Sequence, residues 1–346
     1  MEYAEVLEQA RRKIGPNCHV CPVCDGRACG NLMPGPGSKA PGNGAYDNYS
    51  AWRRIRVNMD TIVSGSETDP SVSLFGRTLS FPLLTAPIGS IQRQFNPQDD
   101  VSEFNDSCMA ACHSRGILHA YGSGLEQRVW DRAVESSAKY GNTGIPVFNP
   151  DPDEKLRRLM DFSRSKEEPA AMCMVVDSAG LPHYRNMMQG SGGFRGVKEL
   201  RVWKEYARGP LIIKGIMTVK GAYKAMEAGA DAIIVSNHGG RVCSDAMATA
   251  EVLPEIAEAV NGRMKVLVDG GIRSGMDVFK ALALGADACL ICRPVLISWY
   301  GGGQEGIECY LDKIRSELED TMRMCGARTV AEITRDMVRL PYGGCR

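Results

Sequence analysis

Three apolar residues, Ile233, Ile234 and Val235, run straight into Ser236-Asn237-His238-Gly239-Gly240-Arg241. That polar cluster holds one of only five histidines, an arginine, and two glycines that let backbone come close to a ligand. A histidine has an ordinary pKa near neutrality and suits a general base. An arginine three residues on can grip a carboxylate through two parallel hydrogen bonds. A polar loop capping a buried strand would need no ligand, so the cluster gains meaning from what gathers with it.

Other apolar runs end the same way. Asp177 closes "AAMCMVVD", Lys214 closes "LIIK", Asp269 and Arg273 follow "KVLV", and Arg293 follows "ACLIC". Asp177 could hold the His238 imidazole and stabilise its protonated form. Lys214 would be a fixed positive charge where negative charge develops. Glycine-rich turns beside Arg273 and Arg293 would make a phosphate site, with backbone N–H groups and helix N-termini as donors.

A second constellation is Cys18, Cys21, Cys24 and Cys29, spaced C-x2-C-x2-C-x4-C. Thiolates this close favour a soft metal, either zinc or an iron–sulfur cluster. Reduced thiols in a loop rich in Gly and Pro are the plainer reading. A cluster would imply electron transfer to a partner, and hence a dehydrogenase. Cys243, two residues past Arg241, could be a nucleophile or only a small wall residue.

These residues need elements that bring them together. Residues 215–231, "GIMTVKGAYKAMEAGAD", repeat as 271–287, "GIRSGMDVFKALALGAD", with Gly215 matching Gly271 and Thr218 matching Ser274. In each copy an apolar run ends in glycine and Thr218 or Ser274 takes the helix N-cap. A helix of good formers follows, Gly229 or Gly285 stops it, and another apolar run begins. Continuously apolar strands are buried on both faces, as in a parallel sheet. Eight such runs are predicted: 81–87, 116–122, 145–149, 170–177, 211–215, 232–236, 265–269 and 288–292. Helical segments such as 100–115 and 153–165 lie between them. Eight parallel strands alternating with helices read as a (β/α)8 TIM barrel, whose chemistry sits at the C-terminal strand ends. An open doubly wound sheet is the alternative, but no GxGxxG follows the first strand.

The barrel is expected over residues 76–346, with a lid-like connection at 180–209. Residues 1–75 read as an extension packed on it: a helix over 2–14, a Cys/Gly/Pro-rich stretch at 15–44, and a second helix over 46–59. Lys plus Arg and Asp plus Glu both number 41, so no general electrostatic pull draws the chain to nucleic acid or an anionic membrane. The longest apolar stretch, 281–299, contains Asp287 and Arg293, which argues against a membrane span. Thirteen cysteines without a visible secretory signal point to a reducing cytoplasm.

"SNHGGR", "DGGIRSGMDVFKALALGADA" and the Arg293-Pro294 pair resemble the FMN-dependent α-hydroxy-acid oxidase and dehydrogenase family, which includes glycolate oxidase, lactate oxidase and flavocytochrome b2. The resemblance is close over 205–300 and looser over 45–180. It implies a TIM barrel with FMN at its mouth and a small-molecule 2-hydroxy acid as substrate. It makes His238 the active-site base, Asp177 its partner and Arg241 the carboxylate anchor. Lys214 would lie near the flavin N1/O2 region. Pro87, Ile88 and Gly89 would form the loop against the flavin. Ser236, Asp269, Gly270, Gly271, Arg273, Cys292 and Arg293 would complete the cofactor site. A homo-oligomer is a further implication.

The departures concern substrate. Ser244, with Asp245 after it, stands where the family usually has aspartate. His183 or Arg185 replaces an arginine pair imperfectly, and "FNP" at 148–150 replaces the family's "QLY". That leaves Asn149 for a flavin-binding glutamine and no substrate tyrosine. Val175 replaces a threonine, Cys292 replaces glycine, and an early carboxylate-binding tyrosine has no counterpart. An altered hydroxy acid follows from these changes. Two other readings compete: a non-redox FMN barrel resembling type 2 isopentenyl diphosphate isomerase, and a non-catalytic relative that binds FMN or a metabolite.

Overall fold

The computed structural model describes residues 1–346 apart from 31–35, 39–41, 66, 123, 125, 167, 181–192 and 342–346. Eight parallel strands close into a barrel: β1 (Leu83–Thr85), β2 (Leu118–Gly122), β3 (Gly144–Phe148), β4 (Met172–Val175), β5 (Leu211–Ile216), β6 (Ala232–Val235), β7 (Lys265–Val268) and β8 (Ala288–Ile291). The barrel closes where β8 pairs with β1, Leu290 opposite Leu84 and Ile291 opposite Thr85. The TIM barrel predicted from the alternating runs is therefore formed.

The strands are apolar throughout because both faces are buried. Leu84, Ala120, Val147, Cys173, Ile212, Ile234, Leu267 and Leu290 fill the interior. Their neighbours, such as Ile213, Ile233 and Val235, pack outward against helices. A hairpin of Val72–Leu74 and Arg77–Leu79 adds Leu74 and Leu79 to the interior cluster. Each buried aliphatic side chain contributes about 1.5–3 kcal/mol, so the barrel is a packed floor rather than a pore.

Around it, in chain order, lie α1 (Tyr3–Lys13), α2 (Gly44–Arg54), α3 (Val101–Ser114), α4 (Gln127–Lys139), α5 (Asp153–Lys166), α6 (Val197–Ala207), α7 (Val219–Glu227), α8 (Thr249–Val260), α9 (Gly275–Ala283) and α10 (Arg293–Met324). The repeat's caps form: Thr218 Oγ1 accepts from the Gly221 N–H at 3.0 Å, and Ser274 Oγ from the Asp277 N–H at 3.2 Å. Gly229 and Gly285 take positive φ at the helix stops.

Two expectations change. The helix predicted over 46–59 ends at Arg54, and Arg56–Val57 instead pair antiparallel with Val338–Arg339. The connection expected over 180–209 carries α6, the outer helix between β4 and β5. Leu200, Trp203 and Ala207 bury one helical face, a 3.6-residue period that the GSGG run at 190–193 obscured. Residues 181–192, including His183 and Arg185, lie outside the described residues.

Candidate active site

The site is built on three local devices. The first is at β5, where the ladder shifts register between Lys214 and Ile216. Gly215, at φ +109°, faces Asp177 so closely that a Cβ there would stand 2.7 Å from the Asp177 Cβ. Glycine thus lets the aspartate after β4 sit against the strand that carries Lys214.

The second device is the turn after β6. His238 has φ +58°, an unusual backbone for a non-glycine residue, and the structure over-determines it. Asn237 Oδ1 accepts from the Gly240 N–H at 3.0 Å. Its side chain also exchanges two hydrogen bonds with Asn48 of α2, at 2.7 and 3.0 Å. Asn48 Oδ1 takes the Thr249 N–H at 3.0 Å as well, and both asparagines are buried. The third device is α2 itself, capped by Asn43 through the Tyr46 N–H. Its buried Trp52 donates from Nε1 to the Gly270 carbonyl at 2.8 Å, pinning the turn after β7.

These devices place the sequence-predicted residues together. His238 Nδ1 lies 3.1 Å from Asp177 Oδ1. Burial pushes the Asp177 carboxyl up, but His238 and Lys214 beside it outweigh that and hold it below the usual range. Lys214 Nζ sits 3.1 Å from Asp269 Oδ2 and donates to Ser236 Oγ at 2.7 Å. Burial opposes its charge, yet Asp269 and Asp177 prevail and raise its pKa above the ordinary lysine range. Lys214 is therefore a permanent cation at neutral pH. Arg241 is pulled down to about 10, first by burial and then by the neighbouring Arg293. Two guanidiniums held this close repel each other, and an anion between them would relieve the repulsion.

Lys214, His238, Arg241, Asp269, Arg273 and Arg293 all line one cavity of about 1410 Å3, its open mouth included. Pro87, Ile88, Gly89, Gly270, Gly271 and Cys292 line it too. Asp177 and Ser236 stand behind the wall: one holds His238, the other ties Lys214 to the His238 N–H at 3.1 Å. Among the departures, Asn149 and Val175 are wall residues. Sequence reasoning missed Pro36, Gln94 and Phe95, also wall residues, and Asn48 behind the turn. The one signal for Asn48 was a carboxamide on the apolar face of a helix.

Arg273, expected at the phosphate end, lines the cavity and also reaches the cysteine loop. Its Nε donates to the Cys24 carbonyl at 2.6 Å, and Nη2 lies 3.8 Å from Cys24 Sγ. The cysteine loop therefore packs directly against the cavity wall. Among the described residues, however, no three His, Cys, Asp or Glu side chains converge on a point able to hold one metal ion. The described residues therefore show neither the zinc centre nor the iron–sulfur centre that the spacing allowed. Cys18, Cys21, Cys24 and Cys29 instead surround a second, smaller cavity.

The chain matches the FMN-dependent dehydrogenase family over residues 37–185 and 147–340. This chain belongs to that family. It is 31% identical over 322 residues to a peroxisomal (S)-2-hydroxyacid oxidase of Arabidopsis thaliana, covering 85% of this chain and 87% of that protein. It is 29% identical to an L-lactate dehydrogenase of Ectopseudomonas mendocina, covering 85% and 92%. The solved structure of mandelate oxidase with (S)-2-phenylpropionate superposes with a TM-score of 0.76 at 28% identity, covering 98% of each chain.

As an FMN-dependent dehydrogenase the chain is an oxidoreductase, and its residues fit the cofactor. Asp269 Oδ1 and Arg293 Nη1 are buried polar atoms of the cavity wall with no partner. The space beside Gly89, in the loop after β1, is open: a Cβ there would meet nothing within 4 Å. A polar-tipped, flat ligand with an anionic end answers both features. No described helix is long and apolar enough to cross a membrane.

Proposed function

We propose that this chain removes two electrons from a 2-hydroxy acid and releases the 2-oxo acid. The observation that carries the reading is the His238–Asp177 pair, 3.1 Å apart, at a cavity that Arg241 and Lys214 share. When bound, FMN supplies the two-electron sink. The Pro87–Gly89 loop, Lys214, Asp269, Gly270, Gly271, Cys292 and Arg293 would hold it, with Arg273 at the rim.

The protein's own residues do the rest. Arg241 fixes the substrate carboxylate by a charge-assisted, two-point contact, which orients the carbinol group toward His238. With Nδ1 occupied by Asp177, Nε2 is the ring nitrogen left to take a proton from that group. The Asp177 carboxylate stabilises the imidazolium that results. Lys214, secured as a cation by Asp269 and Asp177, stabilises negative charge gathering on the cofactor side. The wall between these groups is apolar at Val147, Val175 and Phe95, which suits a substrate side chain without charge. A reducing cytoplasm is consistent with the free thiols among the described residues, although the Arabidopsis relative is a peroxisomal protein.

The test is anaerobic. The purified protein should be yellow, and a panel of 2-hydroxy acids should bleach its flavin band in the absence of oxygen. Substituting His238→Ala should keep the colour and slow bleaching by about 10²–10⁴-fold. Bleaching by no acid in a broad panel would favour a non-redox barrel or a metabolite-binding relative instead.

A further inference from the structure

We infer that Cys18, Cys21, Cys24 and Cys29 hold an iron–sulfur cluster beside the flavin cavity. The four cysteines wall a single small void. A lone zinc needs its sulfurs about 2.3 Å from one centre. A cluster carries its own iron and sulfide, so its cysteine sulfurs stand apart around a body between them. Four thiols spaced around one void suit a cluster.

Two further observations agree. Val20 is a buried β-branched residue at φ +43°, a strained backbone that persists only where something holds the loop. Two guanidiniums attend the void, Arg273 at Cys24 and Arg293 in its wall, and four thiolates on a cluster make a net anion.

Placement gives the cluster a role that extends the oxidation proposed above. Pro36, Phe95 and Arg293 line both cavities, so one wall separates the two redox centres. Oxidising a 2-hydroxy acid to the 2-oxo acid yields two electrons and two protons. The electrons leave singly, as cluster iron cycles between ferric and ferrous, to a one-electron acceptor protein. The protons go to solvent.

The experiment is iron and acid-labile sulfide analysis of the full chain, produced with added iron and purified without oxygen, alongside electron paramagnetic resonance after dithionite reduction. Roughly two to four irons per chain with matching sulfide are expected, as for a four-cysteine cluster, with a low-temperature signal distinct from flavin. Cys21→Ser and Cys29→Ser should each lose the iron and the signal, and Cys243→Ser should keep both. A folded, yellow wild-type protein with background iron, or one holding zinc, would overturn the proposal, as would iron that survives Cys21→Ser with Cys29→Ser. Flavin bleaching by 2-hydroxy acids in the same samples reads the oxidation separately. Bleaching without iron sinks the cluster alone, and iron without bleaching sinks the substrate reading alone.

Discussion

At the scale of the residue, the site rests on one carboxylate holding one imidazole. Asp177 is largely buried, with its pKa held low by His238 and Lys214, so it stays ionised throughout the neutral range. Its Oδ1 faces His238 Nδ1, while Oδ2 is buried without a partner. An ionised group left so short of hydrogen bonds is a poor stabiliser of the fold and a good stabiliser of a nearby developing cation. Asp177→Asn preserves shape and removes that charge. It should slow substrate-dependent flavin reduction by on the order of 10²–10⁴-fold, because the imidazolium loses its counter-charge. FMN binding and substrate affinity should change little, since Arg241 and the cofactor wall are untouched. Single-turnover reduction followed by stopped flow would separate the two effects. A reduction rate equal to the parent's would mean that the aspartate only packs.

At the scale of the element, the catalytic turn is held from outside the barrel. Gly240, at φ +79°, lies so close to α2 that a Cβ would stand 2.4 Å from Gly44 and Ala45. The reciprocal Asn48–Asn237 bonds then lock α2 to the turn that presents His238. Asn48→Ala would orphan the buried Thr249 N–H and remove two of the hydrogen bonds of the buried Asn237 amide, which keeps Gly240 and Met247. The expected cost is about 1–3 kcal/mol in denaturant unfolding. Flavin reduction should slow as well, while FMN content is retained. Asn48→Asp, which keeps an acceptor for Thr249 but not the donor to Asn237, should recover only part of the stability. An unchanged reduction rate in a destabilised Asn48→Ala protein would show that α2 supports the fold and not the turn. This pairing also marks where sequence reading stops. His238, Lys214 and Asp269 were legible because strand ends of a barrel all open on one mouth, so the one-dimensional pattern implied proximity. Asn48 and Phe95 come from segments outside that repeat. Nothing in spacing says which helix of an extension will cross which loop, and only packing brings residues 189 positions apart into contact.

At the scale of the whole molecule, the repeat of strand and helix made the fold legible, while the connection after β4 was not, because glycines masked where α6 begins. The barrel also carries an ionisable group that no motif announces. His119 on β2 is wholly buried, with Thr85 Oγ1 2.6 Å from Nδ1 and Asn105 Oδ1 3.3 Å from Nε2. Burial lowers its pKa from 6.5 to about 3, so it is neutral in the folded state. The unfolded chain binds a proton at this histidine below pH 6.5 and the folded chain does not until about pH 3. Stability from this group is therefore complete above pH 6.5 and falls as pH drops through that window. The slope is at most about 1.4 kcal/mol per pH unit. His119→Gln keeps hydrogen-bonding capacity without the titration. Urea unfolding at pH 7, 6 and 5, at fixed FMN, should show the parent losing about 2 kcal/mol more than the variant by pH 5. Parallel acid dependence in the two proteins would mean that the barrel admits a proton, or water, to β2. A site that depends on a dry floor beneath Lys214 could not then hold its charges as drawn, which makes this core histidine a gauge of the active site above it.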